Sequence, residues 1–213
     1  MTPAHAPRGL RPLDRGFFER PALGVARALL GCRIVRRTPG GEEVALVLET
    51  EAYGGPEDLA SHARAGPTPR TRIMWGPPGR AYVYRIYGVH WMLNVVTGPH
   101  GVPGAVLVRA AWLLPGKGVA PSGTGSLVEG PALLCRRLGI DGTLNGTDLC
   151  SEGSLFLAPG RPVPDGAVLK GPRVGLGRVP EPWRNVPWRF RTARILDETI
   201  QLASCHPAGM FSP

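Results

Sequence analysis

From Pro21 onward the apolar positions Leu23, Ala26, Leu29 and Leu30 recur at helical spacing. Pro21 suits a first helical turn and Gly31 a C-terminal stop, which predicts a helix between them. Two apolar runs follow, Cys32 to Arg37 and Val44 to Glu51, separated by Thr38-Pro39-Gly40-Gly41, and together they predict a hairpin. The stretch Val44-Ala45-Leu46-Val47-Leu48 is apolar on both faces, so it is expected inside the fold, delivering Glu49, Thr50 and Glu51 at its end. Residues 1 to 15 carry Pro3, Pro7, Pro12 and three arginines without any apolar period. They read as a mobile basic arm that adds little to a core.

Further along, Ala81 to Tyr87 and Trp91 to Val96 alternate like two strands joined through Gly88, and Ala105 to Ala111 continues as a third. Gly130-Pro131 opens a helix whose apolar positions Leu133, Leu134 and Leu138 end at Gly139. Leu155 to Leu157, Ala167 to Leu169 and Trp188 to Arg191 predict short strands. Residues 115–126 and 159–166 are Gly/Pro-rich and read as loops. The expectation is a single α+β domain over residues 16–200 with a tail at 201–213 and no internal repeat.

At 213 residues the chain is long enough for one substantial core. No apolar run approaches the ~20 residues that cross a bilayer, and the Arg-bearing start lacks the apolar middle of a secretory signal, so the expected location is cytoplasmic, beside the nucleoid. Cys32, Cys135, Cys150 and Cys205 lack the short paired spacing of a zinc site or disulfide scaffold, so no metal is expected. The formal charge of +9 points to an anionic partner, with nucleic acid the usual one. All but Lys117 and Lys170 of the 25 basic residues are arginines, among 30 Gly and 24 Pro, a pattern that coding bias also produces.

The chemistry concentrates in two places. Glu49-Thr50-Glu51-Ala52-Tyr53, Glu57, Asp58 and His62 crowd acids, a ring and an imidazole into one segment. A carboxylate fixed at a buried strand end has what a general base needs, and Glu51 fits best, with Glu49 on the same strand face; both could equally be solvated or ion-paired acids. In the second cluster Tyr82 and Tyr84 share a strand face with Asn94 nearby, whereas Tyr87 has opposite parity at the hairpin bend and could project outward. The alternative there is a sheet with aromatic core residues, and for His62 a structural hydrogen bond. Arg109 ends an apolar run and needs a carboxylate partner, for which Glu51 is a candidate, as a water-holding pair or as a purely structural one.

Taken together, these segments resemble the alkyladenine (3-methyladenine) DNA glycosylase family. The resemblance rests on Glu49-Thr50-Glu51-Ala52-Tyr53, Gly55-Pro56-Glu57-Asp58, Ser61-His62, Thr68-Pro69-Arg70 and Tyr82-Val83-Tyr84-Arg85-Ile86-Tyr87-Gly88. Asn94, Val106 to Ala110, Gly130 to Cys135, Asp148-Leu149 and Arg173-Val174-Gly175-Leu176-Gly177 continue it. It implies a central, mainly antiparallel curved sheet flanked by helices, with a protruding hairpin that enters DNA.

It further implies Glu51 as general base facing a pocket, Arg109 orienting the attacking water, Tyr53 stacking on one face of a flipped purine and His62 with Tyr84 on the other. Asn94 would exclude the amino group of guanine and Tyr87 would fill the vacated stack. The implied reaction is hydrolysis of alkylated or deaminated purines from duplex DNA by a monomer that uses no cofactor. The competing reading is a catalytically silent nucleic-acid-binding module on the same scaffold. Stacking on tyrosine is expected to favour cationic methylated purines by about 0.5–2 kcal/mol per contact. The loop Thr97 to Pro103 looks slightly longer than in the family's animal members.

Overall fold

A computed structural model describes residues 10–115 and 125–193. A four-residue helix, α1 (Arg15–Phe18), precedes α2 (Ala22–Leu29), which begins after Pro21 as its sequence requires and buries Val25, Ala26 and Leu29. Strands β1 (Arg33–Thr38) and β2 (Gly41–Tyr53) form the expected hairpin, paired from Thr38 opposite Gly41 to Arg33 opposite Leu46. Next come β3 (Ala81–Ile86), β4 (His90–Val96), β5 (Ala105–Leu113) and β6 (Ser126–Glu129), then helix α3 (Pro131–Arg137). The short strands β7 (Leu155–Ala158), β8 (Val168–Gly171) and β9 (Arg189–Thr192) complete the described chain.

All pairings are antiparallel and the order is β3-β4-β5-β2-β1-β7. The two central strands are longer than their neighbours, so each is bordered on its outer edge by two different strands. Strand β2 pairs first with β1 and then with β9; β5 pairs with β4 at its start and with β6 at its end. Splitting the partners of a long strand in this way curls the sheet, because each shorter neighbour follows its own twist. The result is the curved sheet of a single α+β domain.

The apolar side of the sheet is closed by α2 across β2 and by α3 across β4 and β5, with Val47, Val106, Val108 and Leu134 fully or almost fully buried between them. Thr50, a polar residue in this layer, donates its hydroxyl to the Ala26 carbonyl of α2 at 2.8 Å and so remains satisfied.

Three features depart from the sequence reading. The mobile arm does not extend to residue 15: Leu13 is buried, donates its N–H to the Leu157 carbonyl, and is followed by Arg15 paired with Asp148 at 2.6 Å. Residues 1–9 and the tail at 201–213 lie outside the described residues. Of the loop expected over 115–126, residues 116–124 lie outside the described residues and Ser126 opens β6; Leu127 to Glu129 carry no strand signal of their own, and this half-buried strand gains its order from pairing with β5.

The third departure is a pair of bulges in the β2–β5 ladder. Val47 faces Ala111, Glu49 faces Ala110 and Thr50 faces Val108, so Leu48 on one strand and Arg109 on the other fall outside the pairs. Bulges re-aim side chains, and these two occur where the acids and the arginine stand.

Candidate active site

Glu51 is at the inner end of β2 and its side chain has no exposure to solvent. Each carboxylate oxygen is held. Oε1 accepts the Val174 N–H at 2.7 Å; Oε2 accepts the Tyr53 hydroxyl at 2.9 Å and an Arg109 N–H at 3.3 Å. Burial pushes its pKa above the ordinary carboxylate value, and Arg109, the Val174 N–H and the Tyr53 hydroxyl pull the other way without cancelling the shift. Arg109 also donates Nε to Glu49 Oε1 at 3.0 Å, and Arg189 approaches the same oxygen at 3.5 Å. The guanidinium is therefore clamped between two carboxylates, which fixes its plane.

Beside this network is a cavity of about 170 Å³ lined by Tyr53, His62, Tyr82, Tyr84, Asn94 and Met74, with Ala60, Ala105 and Leu176 filling the gaps. A dry cavity of roughly 150 Å³ holds one benzene ring, so this space, open at one side, suits a flat fused heterocycle. Its floor is strand β3: Tyr82 and Tyr84 share a face, as period 2 requires, with ring centroids 5.0 Å apart. His62 reaches the cavity from a one-turn 3-10 helix (His62–Ala65) capped by Ser61, whose hydroxyl oxygen accepts the Ala63 N–H. Its Nδ1 is 2.9 Å from the Tyr82 hydroxyl, and its ring is 4.7 Å from Tyr84. Burial, then Arg70 and Arg64, lower the pKa of His62, so the neutral imidazole is favoured near pH 7. Asn94 is buried and donates its amide to the Tyr82 carbonyl at 3.2 Å, which fixes it in the wall.

The expected residues thus gather in one place, with one correction. Glu51 does not face the cavity. Of the three groups bonded to its carboxylate only Tyr53 lines that space, so the carboxylate stands one hydroxyl behind the wall. The physical reason is the extended backbone: Tyr53, two residues on, leaves the strand on the same side as Glu51 and lies across it. Tyr87 behaves as its parity suggested. It tops the β3–β4 turn, is 89% exposed and adopts a left-handed backbone (φ 48°) before Gly88 (φ 73°).

Sequence reasoning assigned no role to several residues that shape the site. Asp58 accepts the Gly54 and Ala60 N–H groups at 2.9 and 3.0 Å, folding the loop that carries Ala60 and His62. Arg173 is fully buried against Asp58 and spreads between the Tyr53 and Trp188 rings. The next residues supply the Val174 N–H to Glu51 and the Leu176 side chain to the cavity. The available signal was that Asp58 and Arg173 are a buried type of charge only when paired, and both stand inside the motif segments quoted above. Among the described residues no group of three His, Cys, Asp or Glu side chains could hold a metal ion, and no helix is long and apolar enough to cross a membrane.

An aromatic cavity of this size beside a buried carboxylate–arginine network has the shape of a site for one flat ring. Residues 16–194 match the family model described as methylpurine-DNA glycosylase. The chain is 51% identical over 179 residues to a protein of Anaeromyxobacter dehalogenans (strain 2CP-C) named "Putative 3-methyladenine DNA glycosylase", covering 84% of this chain and 82% of that one. Proteins of the same name from Myxococcus xanthus (47%, covering 84% and 88%) and Methanocella arvoryzae (41%, covering 84% and 90%) are also similar. The chain belongs to the methylpurine-DNA glycosylase family and is a DNA glycosylase, a hydrolase of N-glycosyl bonds.

Proposed function

We propose that this protein flips alkylated or deaminated purines, 3-methyladenine and hypoxanthine among them, out of duplex DNA and hydrolyses the bond to the sugar, leaving an abasic site. The observation that carries the reading is Tyr53, whose ring lines the cavity while its hydroxyl holds the Glu51 carboxylate. A base stacked on that ring would bring its sugar next to the Glu51 carboxylate. A water that takes the place of the Tyr53 hydroxyl at Oε2 loses its proton to Glu51. The resulting hydroxide adds to the sugar carbon as the N-glycosidic bond breaks, and the bonding electron pair departs with the purine. The carboxylate also stabilises the positive charge that develops on the sugar. Arg109, fixed by Glu49, holds the water side of Oε2.

Tyr53 stacks on one face of the base, His62 and Tyr84 pack on the other, and Asn94 blocks the amino group of guanine. Tyr87 fills the vacated stack. Non-glycine residues at positive φ cost about 1–3 kcal/mol each, a cost that persists where function demands the side chain, and an exposed tyrosine at φ 48° has no packing to explain it. No lysine lies between Glu51 and Asn94, so direct hydrolysis rather than Schiff-base strand cleavage is expected.

The test is base release from defined duplexes. Wild-type protein is expected to free 3-methyladenine or hypoxanthine without nicking the strand. Glu51→Gln is expected to lower release by about 10²–10⁴-fold, the usual contribution of a general base, while retaining DNA binding. Equal binding of damaged and intact duplexes with no release would replace this reading by a silent binding module.

A further inference from the structure

The two faces of the Tyr53 ring are not equivalent. One lines the cavity; over the other lies the guanidinium of Arg173, 4.8 Å from the ring centroid, and Arg173 itself is absent from the cavity wall and fully buried. Beyond Arg173 lies Trp188, 5.1 Å away, so the stack runs tryptophan, guanidinium, tyrosine and then open cavity. Asp58 meets the guanidinium edge-on through both terminal nitrogens, at 2.5 and 2.9 Å, and the Ala52 and Trp183 carbonyls take the remaining terminal N–H groups at 2.9 and 3.2 Å. Each of these partners sits in or near the guanidinium plane, which leaves its two flat faces for the rings.

A ring attracts a cation through the negative charge of its π face. When a guanidinium already occupies the far face, the ring's negative charge is engaged there and the near face has less to offer a second cation; direct repulsion is small, because Asp58 neutralises the guanidinium. A neutral ring loses little, because stacking through dispersion and shape does not depend on that charge. Across the cavity, Arg70 stands 4.9 Å from the Tyr84 centroid but is exposed to solvent, which screens its charge.

We propose that Arg173, locked by Asp58 behind Tyr53, is a specificity-determining residue that cancels the ring's preference for cationic bases, so that neutral purine lesions are accepted on equal terms with cationic methylated ones. This rests on the glycosylase reading of the cavity and revises the expectation that tyrosine walls favour cations. Arg173 touches no substrate; it acts through the ring it backs.

The experiment compares release of 3-methyladenine, cationic while attached to the sugar, with release of hypoxanthine, which is neutral, as a ratio within each variant. In Arg173→Gln/Asp58→Asn, which removes both buried charges together, the cationic-to-neutral ratio is expected to rise roughly threefold or more, the size of a weak cation–π contact. A second comparison leaves the pair intact: Tyr53→Phe and Tyr53→Leu both lack the hydroxyl, and only the first keeps a ring. Their ratios are expected to agree, since the backed ring confers no charge preference. An unchanged ratio in a folded Arg173→Gln/Asp58→Asn protein, or a several-fold fall in the ratio from Phe to Leu, overturns the proposal. Absence of release of either base by the wild-type protein defeats the glycosylase reading instead, so the two failures are distinguishable.

Discussion

Replacing Asp58 by alanine removes one partner of an ion pair in which neither side chain has any solvent exposure. The uncompensated Arg173 would remain wedged between Tyr53 and Trp188, with no route to water. Breaking a buried pair from one side costs about 3–5 kcal/mol, because the surviving charge keeps its desolvation penalty and loses its attraction. Asp58 also accepts two backbone N–H groups, from Gly54 and Ala60, and losing a net hydrogen bond costs roughly 0.5–1.5 kcal/mol. These contributions share one carboxylate and do not simply add, so a total of about 4–6 kcal/mol is reasonable, a large fraction of the roughly 5–15 kcal/mol that stabilises a folded domain. In a chain of this size each kcal/mol moves the midpoint by about 2–4 °C, which places the expected fall in Tm at roughly 10–20 °C.

Thermal unfolding followed by far-UV circular dichroism, with a urea titration to obtain the free energy, measures it. The charge-free pair Arg173→Gln/Asp58→Asn is the internal control, because it leaves no stranded ion and its fall is expected to be the smaller of the two. A fall of less than about 3 °C for Asp58→Ala, or an equal fall for the single and paired variants, would refute the argument that the cost lies in a stranded charge.

Two further outcomes follow from the geometry. Glu51 must be ionised to accept a proton and its pKa is raised, mainly by burial, so release under single-turnover conditions should fail on acidification at a pH above the ordinary carboxylate value of 4.5. Arg109→Gln, which removes the largest opposing influence, should move that acid limb further up, and a limb at or below 4.5 would contradict the assignment of Glu51 as base. Tyr87→Ala should leave stability within about 0.5 kcal/mol of wild type, since the ring is 89% exposed. The same change should slow excision from duplex DNA by about 10–100-fold, the value of one lost base stack of roughly 1–3 kcal/mol, with a smaller effect where the lesion is already unpaired. Equal losses on paired and unpaired lesions would remove the wedge from the mechanism.

How much of this was legible in the sequence depended on whether a residue's role is decided locally. Helix α2, the β1–β2 hairpin and the outward Tyr87 follow from spacing, Pro and Gly positions and strand parity, all properties of neighbours in the chain. Parity at the site survived for a less obvious reason. The ladder slips by one at Leu48 on β2 and by one at Arg109 on β5, so the two bulges cancel and pairing beyond them returns to its original register. Alternation along each strand does shift at the bulges, since Val47 and Thr50, three residues apart, face the same layer, as do Val108 and Ala111; Glu49 and Glu51 share a face because both lie beyond the shift.

Arg173, Val174 and Leu176 were invisible to the same reasoning because they come from a stretch without any period, more than a hundred residues from Asp58, Glu51 and Tyr53, and meet them only after the sheet has curled. The closure of Glu51 behind Tyr53 was missed for a related reason: period 2 says that residues 51 and 53 share a side of the strand, but not which of them covers the other. Here the larger ring covers the carboxylate, and Val174, delivered from far along the chain, takes the oxygen that Tyr53 leaves. The base proposed for catalysis is thereby kept dry, hydrogen-bonded and behind the ring on which a substrate would stack. A buried carboxylate in that position becomes reactive only as the Tyr53 contact is exchanged for water, which couples the reactivity of Glu51 to events in the cavity.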